Sequence, residues 1–417
     1  MTSNYGISPK AQRILKVLKE FVENDCIPAE ATFNQQIGKG EARFQIVPPV
    51  LEQLKVKAKT LGLWNLFLGE EEYGTLGAGL TNFEYALMAE QMGRSIRLAP
   101  EACNCSAPDT GNMEVLAKYG SDAQKQRWLT PLLAGEIRSA FAMTEPNVAS
   151  SDATNIGTSI VRDEKTATYL INGHKWWITG AGDPRCQFFF VVGQTNPSHP
   201  NPYQRQSVVL VPAKTPGVKV VRPLEVFGYD DAPSGHCEVT FENVRVPVDN
   251  IILGEGRGFE VLQGRLGPGR LHHCMRAIGL AERAMDLTLA RITSRTAFGR
   301  KLAENAVVMH QIATCRMNVE QARLLVLHAA GKMDRVGPKG AQREIAIAKI
   351  RVPNLVLKVI DDCIQMHGAA GVGADLILAE MYAGARTLRI ADGPDDVHLS
   401  QFGRNEIKKY LAQKAKL

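Results

Sequence analysis

The sequence predicts an α+β protein of several domains, with helices, then strands, then helices along the chain. Three observations support this prediction. Apolar residues recur at helical spacing in the first third, short β-type runs follow, and long helical periodicity returns from about residue 258. A chain of 417 residues fits about two to three domains. We therefore predict domains over residues 1–137, 138–253 and 254–417.

The N-terminal domain is predicted to be α-helical. The segments that begin at Ala11 and Asn82 both place apolar residues at i, i+3 and i+4. This spacing gives a helix one apolar face, which it buries against a neighbour. Residues 1–137 therefore favour a helical domain.

The middle domain is predicted to be β-barrel-like. Short apolar runs rich in Val and Phe begin at Cys186, Ser207, Val218 and His236. Turn residues such as Asn196-Pro197 separate them. This texture is typical of an antiparallel β domain.

The C-terminal domain is predicted to be a four-helix bundle with an oligomerisation surface. Three long stretches, 271–294, 309–334 and 340–367, show helical periodicity with few Pro or Gly residues. The glycines of segment 254–258 do not form G-x-G-x-x-G, and no βαβ unit surrounds them. We interpret this segment as a connector, and we expect no dinucleotide-binding Rossmann domain.

Charge, cysteine spacing and hydropathy argue against nucleic-acid binding, metal binding and membrane spanning. The net charge of +6 is dispersed, without a block of Lys and Arg interleaved with aromatics, so we expect no nucleic-acid partner. The eight cysteines show no metal-ligand spacing, so we expect no metal. No apolar run approaches about 18 residues, so the chain is not expected to span a membrane.

The last three residues of the sequence, Ala415-Lys416-Leu417, are similar to a Ser-Lys-Leu peroxisomal address. We therefore predict peroxisomal localisation. A mitochondrial or cytoplasmic location is the alternative, because a basic helix can also end this way.

The pair Asp392-Gly393 is the first candidate for chemistry. Glycine has no Cβ, so a substrate can approach the neighbouring backbone closely. An apolar environment raises the pKa of a carboxyl group and makes it a usable base near neutral pH. A plain turn is the alternative interpretation of this pair.

Further segments offer groups that suit a flat heterocycle and its phosphates. Residues 141–152 combine hydroxyls with small residues, and Trp176-Trp177 provides an aromatic wall. Arg295 and Arg300 flank a bend, where guanidinium groups can bind phosphate oxygens in pairs. A glycine-rich break follows the helix that ends near Gln365. Taken singly, these segments can also be loop caps, core residues, solvated charge and a helix end.

Taken together and in order, these segments resemble the FAD-dependent acyl-CoA dehydrogenases over essentially the whole chain. The matching elements are Thr-Glu-Pro at 144–146, Trp-Ile-Thr at 177–179, Arg-x-x-Phe-Gly at 295–299, Gln-x-x-Gly at 365–368 and Asp-Gly at 392–393. The resemblance implies the three predicted domains and FAD bound at a subunit interface of a homodimer or homotetramer.

The resemblance also implies roles for particular residues. Asp392 would be the catalytic base, and Ser151, Arg270 and Gly393 would contact the substrate. The residues that would contact FAD, from either subunit, are Phe141, Met143, Thr144, Ser150, Ser151, Trp177, Ile178, Thr179, Arg295, His310, Gln311, Gln365, Gly368, Ala369, Pro394 and Asp396.

The reaction that the resemblance implies is α,β-dehydrogenation of an acyl-CoA to the trans-2-enoyl-CoA in fatty-acid β-oxidation. Asp392 would remove the pro-R α-proton while the β-hydride passes to flavin N5. Hydrogen bonds to the thioester carbonyl would make the α-proton acidic. An electron-transfer flavoprotein or O₂ would then accept the electrons.

The chain differs from members of the family at four positions. Asp392 stands where most relatives have Glu, which is similar to a branch that uses aspartate as the base. Pro394 and Asp396 replace the usual Thr and Gln, and Gly269 stands where some relatives carry the base. Asp392 is therefore the best candidate for the base.

Two kinds of alternative remain open. An acyl-CoA oxidase or a nitroalkane oxidase of the same fold would return electrons to O₂. A non-catalytic FAD-binding protein associated with nucleic acid would instead need a concentrated basic face.

Overall fold

A computed structural model describes residues 5–415, apart from the side chain of Leu266. Lys416 and Leu417 of the predicted peroxisomal tripeptide lie outside the described residues, so that localisation stays a prediction. The chain forms two compact units. Unit 1 contains the described residues up to Ile27, Leu80–Pro100 and those from Arg270 onward, and unit 2 contains Pro28–Gly79 and Glu101–Gly269. The predicted domain boundaries stay a prediction.

Helices occupy both ends of the described chain. The first group is α1 (Pro9–Phe21), α2 (Ile27–Ile37), α3 (Pro49–Thr60), α4 (Glu70–Tyr73), α5 (Asn82–Gly93), α6 (Ala99–Ala102), α7 (Asp109–Tyr119), α8 (Asp122–Gln124) and α9 (Thr130–Ala134). The second group is α10 (Gly258–Ser294), α11 (Ala306–Gly340), α12 (Gln342–His367), α13 (Ala369–Val372), α14 (Leu378–Thr387) and α15 (Asp395–Lys414). None of the helices in the described range 5–415 combines the length and hydropathy needed to cross a membrane.

The middle of the chain forms the sheet. Its strands are β1 (Arg138–Ala142), β2 (Ser159–Asp163), β3 (Thr168–Thr179), β4 (Cys186–Gln194), β5 (Gln206–Pro212), β6 (Val218–Leu224), β7 (His236–Pro247) and β8 (Ile251–Ile252). Within the described residues these make an eight-stranded sheet in the order β6-β7-β3-β2-β4-β5-β8, with β1 paired to β4. A short hairpin of β9 (Thr296–Ala297) and β10 (Arg300–Lys301) follows α10.

Strand β4 lies in the interior of the sheet because its sequence is apolar on both faces. Phe188, Phe189 and Phe190 are each at most 1% exposed. Phe189 packs edge-on against Phe241 of β7, with ring centroids 5.8 Å apart. Such aromatic pairs stabilise beyond the area that they bury. The continuous apolar run that predicted this strand therefore also explains its central place.

In unit 1, α11 packs against α12 and α5, and α12 packs against α14 and α15. Helices α5 and α10 approach each other closely at Gly93 and Gly279. A Cβ at Gly93 would lie 1.9 Å from the carbonyl oxygen of Arg276, and one at Gly279 would lie 1.8 Å from that of Glu90. Only glycine permits this approach. The predicted fold class is confirmed, with N-terminal helices, a middle sheet and C-terminal helices.

Candidate active site

Asp392 lies on the tight connection between α14 and α15. Its backbone has a φ of 56°, in the left-handed region that few residues other than glycine adopt, and Gly393 has a φ of 111°. A Cβ at Gly393 would also lie 2.5 Å from Nε2 of His398. A non-glycine residue in such a conformation is strained and persists only where its surroundings hold it. The loop is therefore held in one conformation by its neighbours.

Three basic side chains hold this loop by its carbonyl groups. Arg270 Nε donates to the carbonyl oxygen of Asp392 at 2.9 Å, and His398 Nε2 donates to the same oxygen at 3.3 Å. Lys349, which is 1% exposed, donates from Nζ to the carbonyl oxygen of Leu388 at 2.5 Å. Hydrogen bonds with a charged donor are stronger than neutral ones. These contacts fix the backbone that presents Asp392.

The Asp392 carboxylate has a histidine beside it. His273 Nε2 lies 3.4 Å from Asp392 Oδ2, and the two side chains are 25% and 20% exposed. Burial lowers the pKa of His273, although Asp392 opposes this change. Burial also lowers the pKa of His398 to about 4, and the charges of Arg270 and Lys349 add to this effect. Both imidazoles are therefore neutral near pH 7.

The residues after Asp392 begin α15. Arg389 Nε donates to Asp395 Oδ2 at 2.7 Å, and Asn354 Nδ2 donates to the same oxygen at 3.0 Å. Pro394 precedes the first helical turn, and Asp396 is exposed within it. A carboxylate in the first turn is favourable, because the N-terminus of a helix carries partial positive charge. Asp395 and Asp396 thus stabilise the first turn of α15. The FAD contacts of Pro394 and Asp396 stay a prediction.

In unit 2, the structure joins two of the segments predicted to face the flavin. Trp176 N donates to the carbonyl oxygen of Thr144 at 3.0 Å, and Thr144 Oγ1 donates to the carbonyl oxygen of Trp176 at 2.5 Å. Phe141 lies at the end of β1, and the guanidinium carbon of Arg265 lies 4.1 Å from the centre of its ring. Met143 is half-buried beside Thr144. The two hydrogen bonds between Thr144 and Trp176 therefore hold the segment after β1 against the Trp pair of β3.

Trp177 stands at an irregularity of the sheet. The register between β3 and β7 shifts between Lys175 and Ile178, and Trp177 has a φ of 55°. Its side chain is 40% exposed, which is unusual for Trp in a strand. Ile178 is 1% exposed and packs in the core of the sheet, so only its backbone remains for a cofactor. Thr179 Oγ1 lies 2.9 Å from Nδ1 of His236.

The two serines of segment 141–152 differ in their surroundings. Ser150 Oγ accepts from the backbone N–H of Glu145 at 2.9 Å, so it closes its own loop. Ser151 is exposed. Asp152 accepts from the backbone N–H of Thr154 at 2.9 Å and caps a short turn. Ser150 and Asp152 therefore act as loop caps, which was the alternative interpretation of this segment. Ser151 is the serine that is exposed to solvent.

A buried ion pair supports the same segment from behind. Lys175 Nζ donates to Glu145 Oε1 at 2.8 Å, to the carbonyl oxygen of Met143 at 2.8 Å and to that of Val192 at 2.7 Å. Burial lowers the pKa of Lys175 to about 8. Burial acts to raise the pKa of Glu145, but the charge of Lys175 outweighs it and lowers that pKa.

The remaining predicted FAD contacts lie on the surface of unit 1. Arg295 is exposed where α10 meets the hairpin, and the turn residue Phe298 is fully exposed. The other members of the set are exposed or half-buried: His310, Gln311, Gln365, Gly368 and Ala369. The structure brings Asp392, Gly393 and Arg270 together. The FAD contacts of the Arg295 set, namely Arg295, His310, Gln311, Gln365, Gly368 and Ala369, stay a prediction.

Sequence reasoning missed three residues around Asp392, namely His273, Lys349 and His398. One signal was present, since His273 lies in the helical stretch predicted over 271–294, three residues after Arg270, and a helix that includes both residues places them on one face. Lys349 and His398 belong to other helices, α12 and α15. Their approach to Asp392 depends on how the helices pack, which one sequence does not reveal.

The residues present fit the two chemical tasks of a flavoenzyme. In unit 2, the exposed face of Trp177 and the hydroxyl-bearing segment at Thr144 suit a flat heterocycle. In unit 1, the loop of Asp392 suits a fixed base. No group of three or more metal-ligating side chains occurs in the described part of the chain. Each unit thus offers one feature, a surface that suits a flat cofactor in unit 2 and a loop that suits a base in unit 1.

The chain belongs to the acyl-CoA dehydrogenase family, whose N-terminal, middle and C-terminal domain descriptions match residues 8–136, 140–244 and 256–407. The prediction of family, enzyme class and FAD cofactor is confirmed. That Asp392 stands where most relatives have Glu stays a prediction.

Among curated relatives, the chain is 52% identical to acyl-CoA dehydrogenase family member 11 of Gallus gallus over 404 residues, covering 96% of this chain and 51% of the relative. It is 50% identical to the probable acyl-CoA dehydrogenase FadE2 of Mycobacterium tuberculosis, covering 97% of each. The chain spans about half the length of several of the curated relatives that it matches.

Solved structures agree in fold. A structure assigned to an acyl-CoA dehydrogenase of Mycobacterium abscessus is 48% identical, with a TM-score of 0.92, covering 97% of this chain and 99% of that one. Butyryl-CoA dehydrogenase of Megasphaera elsdenii is 24% identical, with a TM-score of 0.81, covering 97% and 100%. The second likeness supports the fold alone.

Proposed function

We propose that this chain catalyses FAD-dependent α,β-dehydrogenation of an acyl-CoA thioester to its trans-2-enoyl-CoA, as a step of fatty-acid β-oxidation. Asp392 removes the α-proton, so that an α C–H bond breaks and an O–H bond forms on its carboxylate. Bound FAD supplies the acceptor for the β-hydride. The observation that carries this proposal is the left-handed loop at Asp392, held by Arg270, His398 and Lys349.

Gly393, Arg270 and Asp392 each have a distinct task in this reaction. Gly393 keeps the backbone beside the base free of a Cβ, so the thioester carbonyl can approach a backbone N–H there. Arg270 holds the carbonyl oxygen of Asp392. Because aspartate has a short side chain, its reach depends on this backbone position. An error of about 1 Å in such a site costs on the order of 100-fold in rate.

FAD is held, in this proposal, by the surface of unit 2 that contains Phe141, Thr144 and Trp177. Trp177 presents its exposed ring for stacking on the flavin, and Thr144 and Thr179 stand on either side of it in the chain. The bulge at Lys175–Ile178 supports this role, because it turns a Trp side chain outward from the sheet.

The proposal is tested by anaerobic bleaching of the flavin absorbance with a series of acyl-CoAs. We expect rapid bleaching by one chain-length class, and its loss in Asp392→Asn while FAD stays bound. Bleaching at an equal rate in Asp392→Asn would assign the base elsewhere. No bleaching of the wild type by any thioester would reject the dehydrogenase function.

We propose an electron-transfer flavoprotein as the electron acceptor. After anaerobic bleaching, mixing the reduced enzyme with an oxidised electron-transfer flavoprotein or with O₂ separates a dehydrogenase from an oxidase. We expect fast reoxidation by the flavoprotein and slow reoxidation by O₂. Rapid formation of hydrogen peroxide would favour the acyl-CoA or nitroalkane oxidase alternatives.

We propose further that the Arg295 set contacts the FAD of a second copy, in a homodimer or homotetramer. Phe298 is fully exposed, and Val307 and Met309 nearby in the chain are 65% and 53% exposed, which is unusual for a free surface. Sedimentation of wild type and Phe298→Asp tests this proposal. We expect a smaller species and less bound FAD in the variant, whereas a monomeric wild type would reject it.

A further inference from the structure

His273 connects the side chain of Asp392 to a buried guanidinium. Its Nε2 lies 3.4 Å from Asp392 Oδ2, and Arg276 Nη2 lies 3.3 Å from its Nδ1. Arg276 is 5% exposed. His273 and Arg276 are three residues apart on α10, so they lie on one face of the helix. All three residues belong to unit 1.

The donor capacities of these groups fix the tautomer of His273. A guanidinium has only N–H donors, so Arg276 requires that Nδ1 of His273 accept. A neutral imidazole carries one proton, and this proton must then be on Nε2. Nε2 faces the Asp392 carboxylate, which accepts hydrogen bonds when ionised. Each donor in the series Arg276, His273 and Asp392 is therefore matched with an acceptor.

The charged groups around His273 keep it neutral. Burial lowers its pKa, Asp392 acts in the opposite direction, and the charges of Arg276 and Lys349 add to the lowering. The adjacent His272 is 2% exposed, and burial lowers its pKa to about 3, so it adds no positive charge at neutral pH.

Arg270 and the neutral His398 contact a different atom of Asp392. Arg270 and His398 bind its backbone carbonyl oxygen, not its carboxylate. The carbonyl of Asp392 thus binds Arg270 and His398, and His273 lies beside Oδ2 of its carboxylate.

We propose that His273 is a positioning residue, which donates from Nε2 to Oδ2 of Asp392 and thereby aims the carboxylate at the substrate α-carbon, with Arg276 setting its tautomer. This inference rests on the proposed function. The loop contacts fix the backbone of Asp392, and the contact of His273 with Oδ2 restricts the torsions of its side chain. A hydrogen bond to the ionised carboxylate also favours that form, which is the form that accepts a proton.

The experiment isolates proton abstraction from hydride transfer. The probe is an acyl-CoA analogue with sulfur in place of the β-carbon, matched in length to the substrate that bleaches the flavin fastest. It has α-hydrogens but no β-hydrogen. In D₂O, the holoenzyme should break an α C–H bond, form O–H on Asp392, and return a deuteron to the same carbon. Mass spectrometry measures the incorporated deuterium.

Two variants of His273 give opposite expected results. His273→Leu fills the space without a donor, and we expect deuterium incorporation to slow by roughly 100-fold. The acid limb of the bleaching rate should move to higher pH, because the ionised carboxylate loses a hydrogen bond. His273→Gln can place an amide N–H near the position of Nε2, and we expect it to restore most of the rate. His272→Phe, on the adjacent residue, is the control and should match the wild type.

Variants of Arg276 test the tautomer and keep the proposal testable if His273→Leu loses FAD. Arg276→Lys still only donates, so we expect a rate near that of the wild type. The amide of Arg276→Gln can also accept, which lets the proton move to Nδ1, and we expect a loss of roughly tenfold. FAD content and the melting temperature of each variant show whether it is folded.

The outcomes separate the two levels of the proposal. A wild type that neither bleaches nor exchanges rejects the proposed function. Loss of exchange in Asp392→Asn, together with unchanged exchange and an unmoved acid limb in His273→Leu, rejects the positioning role alone. Equal rates in Arg276→Lys and Arg276→Gln reject the role of Arg276 in setting the tautomer.

Discussion

The ammonium group of Lys175 lies 2.8 Å from Oε1 of Glu145, and the two side chains are 0% and 6% exposed. Glu145 also accepts from the backbone N–H of Gly157 at 2.7 Å, and from both the backbone N–H and the hydroxyl of Thr158. The pair therefore connects β3 to the loop after β1. A buried ion pair of this kind fixes a backbone in place, because neither charge can be left alone.

Removing one member of this pair is expected to be costly. Lys175→Met leaves Glu145 buried without its cation, and we expect a loss of about 3–5 kcal/mol in the free energy of unfolding. FAD should also dissociate more readily, because Lys175 holds the carbonyl of Met143. Denaturant unfolding and the flavin content of the purified protein measure the two effects.

The matched control is Arg222→Met on the same sheet. Arg222 Nε lies 2.8 Å from Glu238 Oε2, but the Arg222 side chain is 60% exposed. Exposed pairs contribute about 0–1 kcal/mol. A loss as small in Lys175→Met as in this control would contradict the importance assigned to the buried pair. The double variant Glu145→Gln/Lys175→Met should recover part of the loss.

Gly393→Ala is expected to displace the base. The new Cβ would lie 2.5 Å from Nε2 of His398, and the φ of 111° is unfavourable for any residue with a side chain. We expect bleaching by the best acyl-CoA to slow by roughly 100-fold, since Asp392 moves with the loop. Stopped-flow measurement of bleaching gives the rate.

Gly403→Ala is the control for this substitution, because no atom lies within 4 Å of the Cβ that it adds on α15. Alanine favours a helix interior over glycine by about 1 kcal/mol, so this variant should be as active as the wild type and slightly more stable. If Gly393→Ala bleaches as fast as Gly403→Ala, the loop does not position the base.

The sequence predicted the parts of this protein that depend on local patterns. The apolar run from Cys186 became a strand buried on both faces, and the long periodic stretches became α10, α11 and α12. The runs identified in the sequence did not include β2, whose alternation is broken by Arg162 and Asp163. Strand β2 is instead stabilised by its antiparallel pairing with β3, because its own sequence lacks a strand pattern.

The candidate site was predictable only where its residues are adjacent in the chain. Asp392 and Gly393 could be identified together, and the left-handed backbone of Asp392 explains why a glycine follows it. His273 and Lys349 come to this loop from α10 and α12. Helix packing, which depends on the whole core, determines these approaches.

Trp177 is expected to contribute to FAD affinity by stacking. This residue is 40% exposed at a bulge of β3. Aromatic stacking is worth about 0.5–1.5 kcal/mol beyond area burial, so Trp177→Ala should weaken FAD binding by about tenfold. Trp177→Phe should retain most of the affinity. Titration of the apoprotein with FAD, followed by flavin fluorescence, gives the dissociation constants.

Tyr203→Ala serves as the comparison, since Tyr203 is 53% exposed on unit 2 and packs against Phe259 at 4.6 Å between ring centroids. It lies outside the predicted flavin surface and should leave FAD affinity unchanged. An equal weakening by Tyr203→Ala and Trp177→Ala would indicate a general loss of stability, not a lost stacking contact.

Glu114 is expected to make the stability of the protein fall between about pH 4.5 and pH 8. It is 5% exposed, and burial raises its pKa from 4.5 to about 8, with Glu72 adding to the rise and Arg265 opposing it. Between these two values the unfolded chain has already lost the proton that the folded chain keeps. Rising pH then stabilises the unfolded state relative to the folded state.

Glu114→Gln removes this titration, so its free energy of unfolding should vary less between pH 5 and pH 8.5 than that of the wild type. The difference between the two proteins should be on the order of a few kcal/mol at the higher pH. Glu164→Gln, on a side chain that is 76% exposed, should follow the wild-type curve. Denaturant unfolding at several pH values measures all three proteins. Parallel curves for wild type and Glu114→Gln would show that Glu114 does not retain its proton in the folded protein.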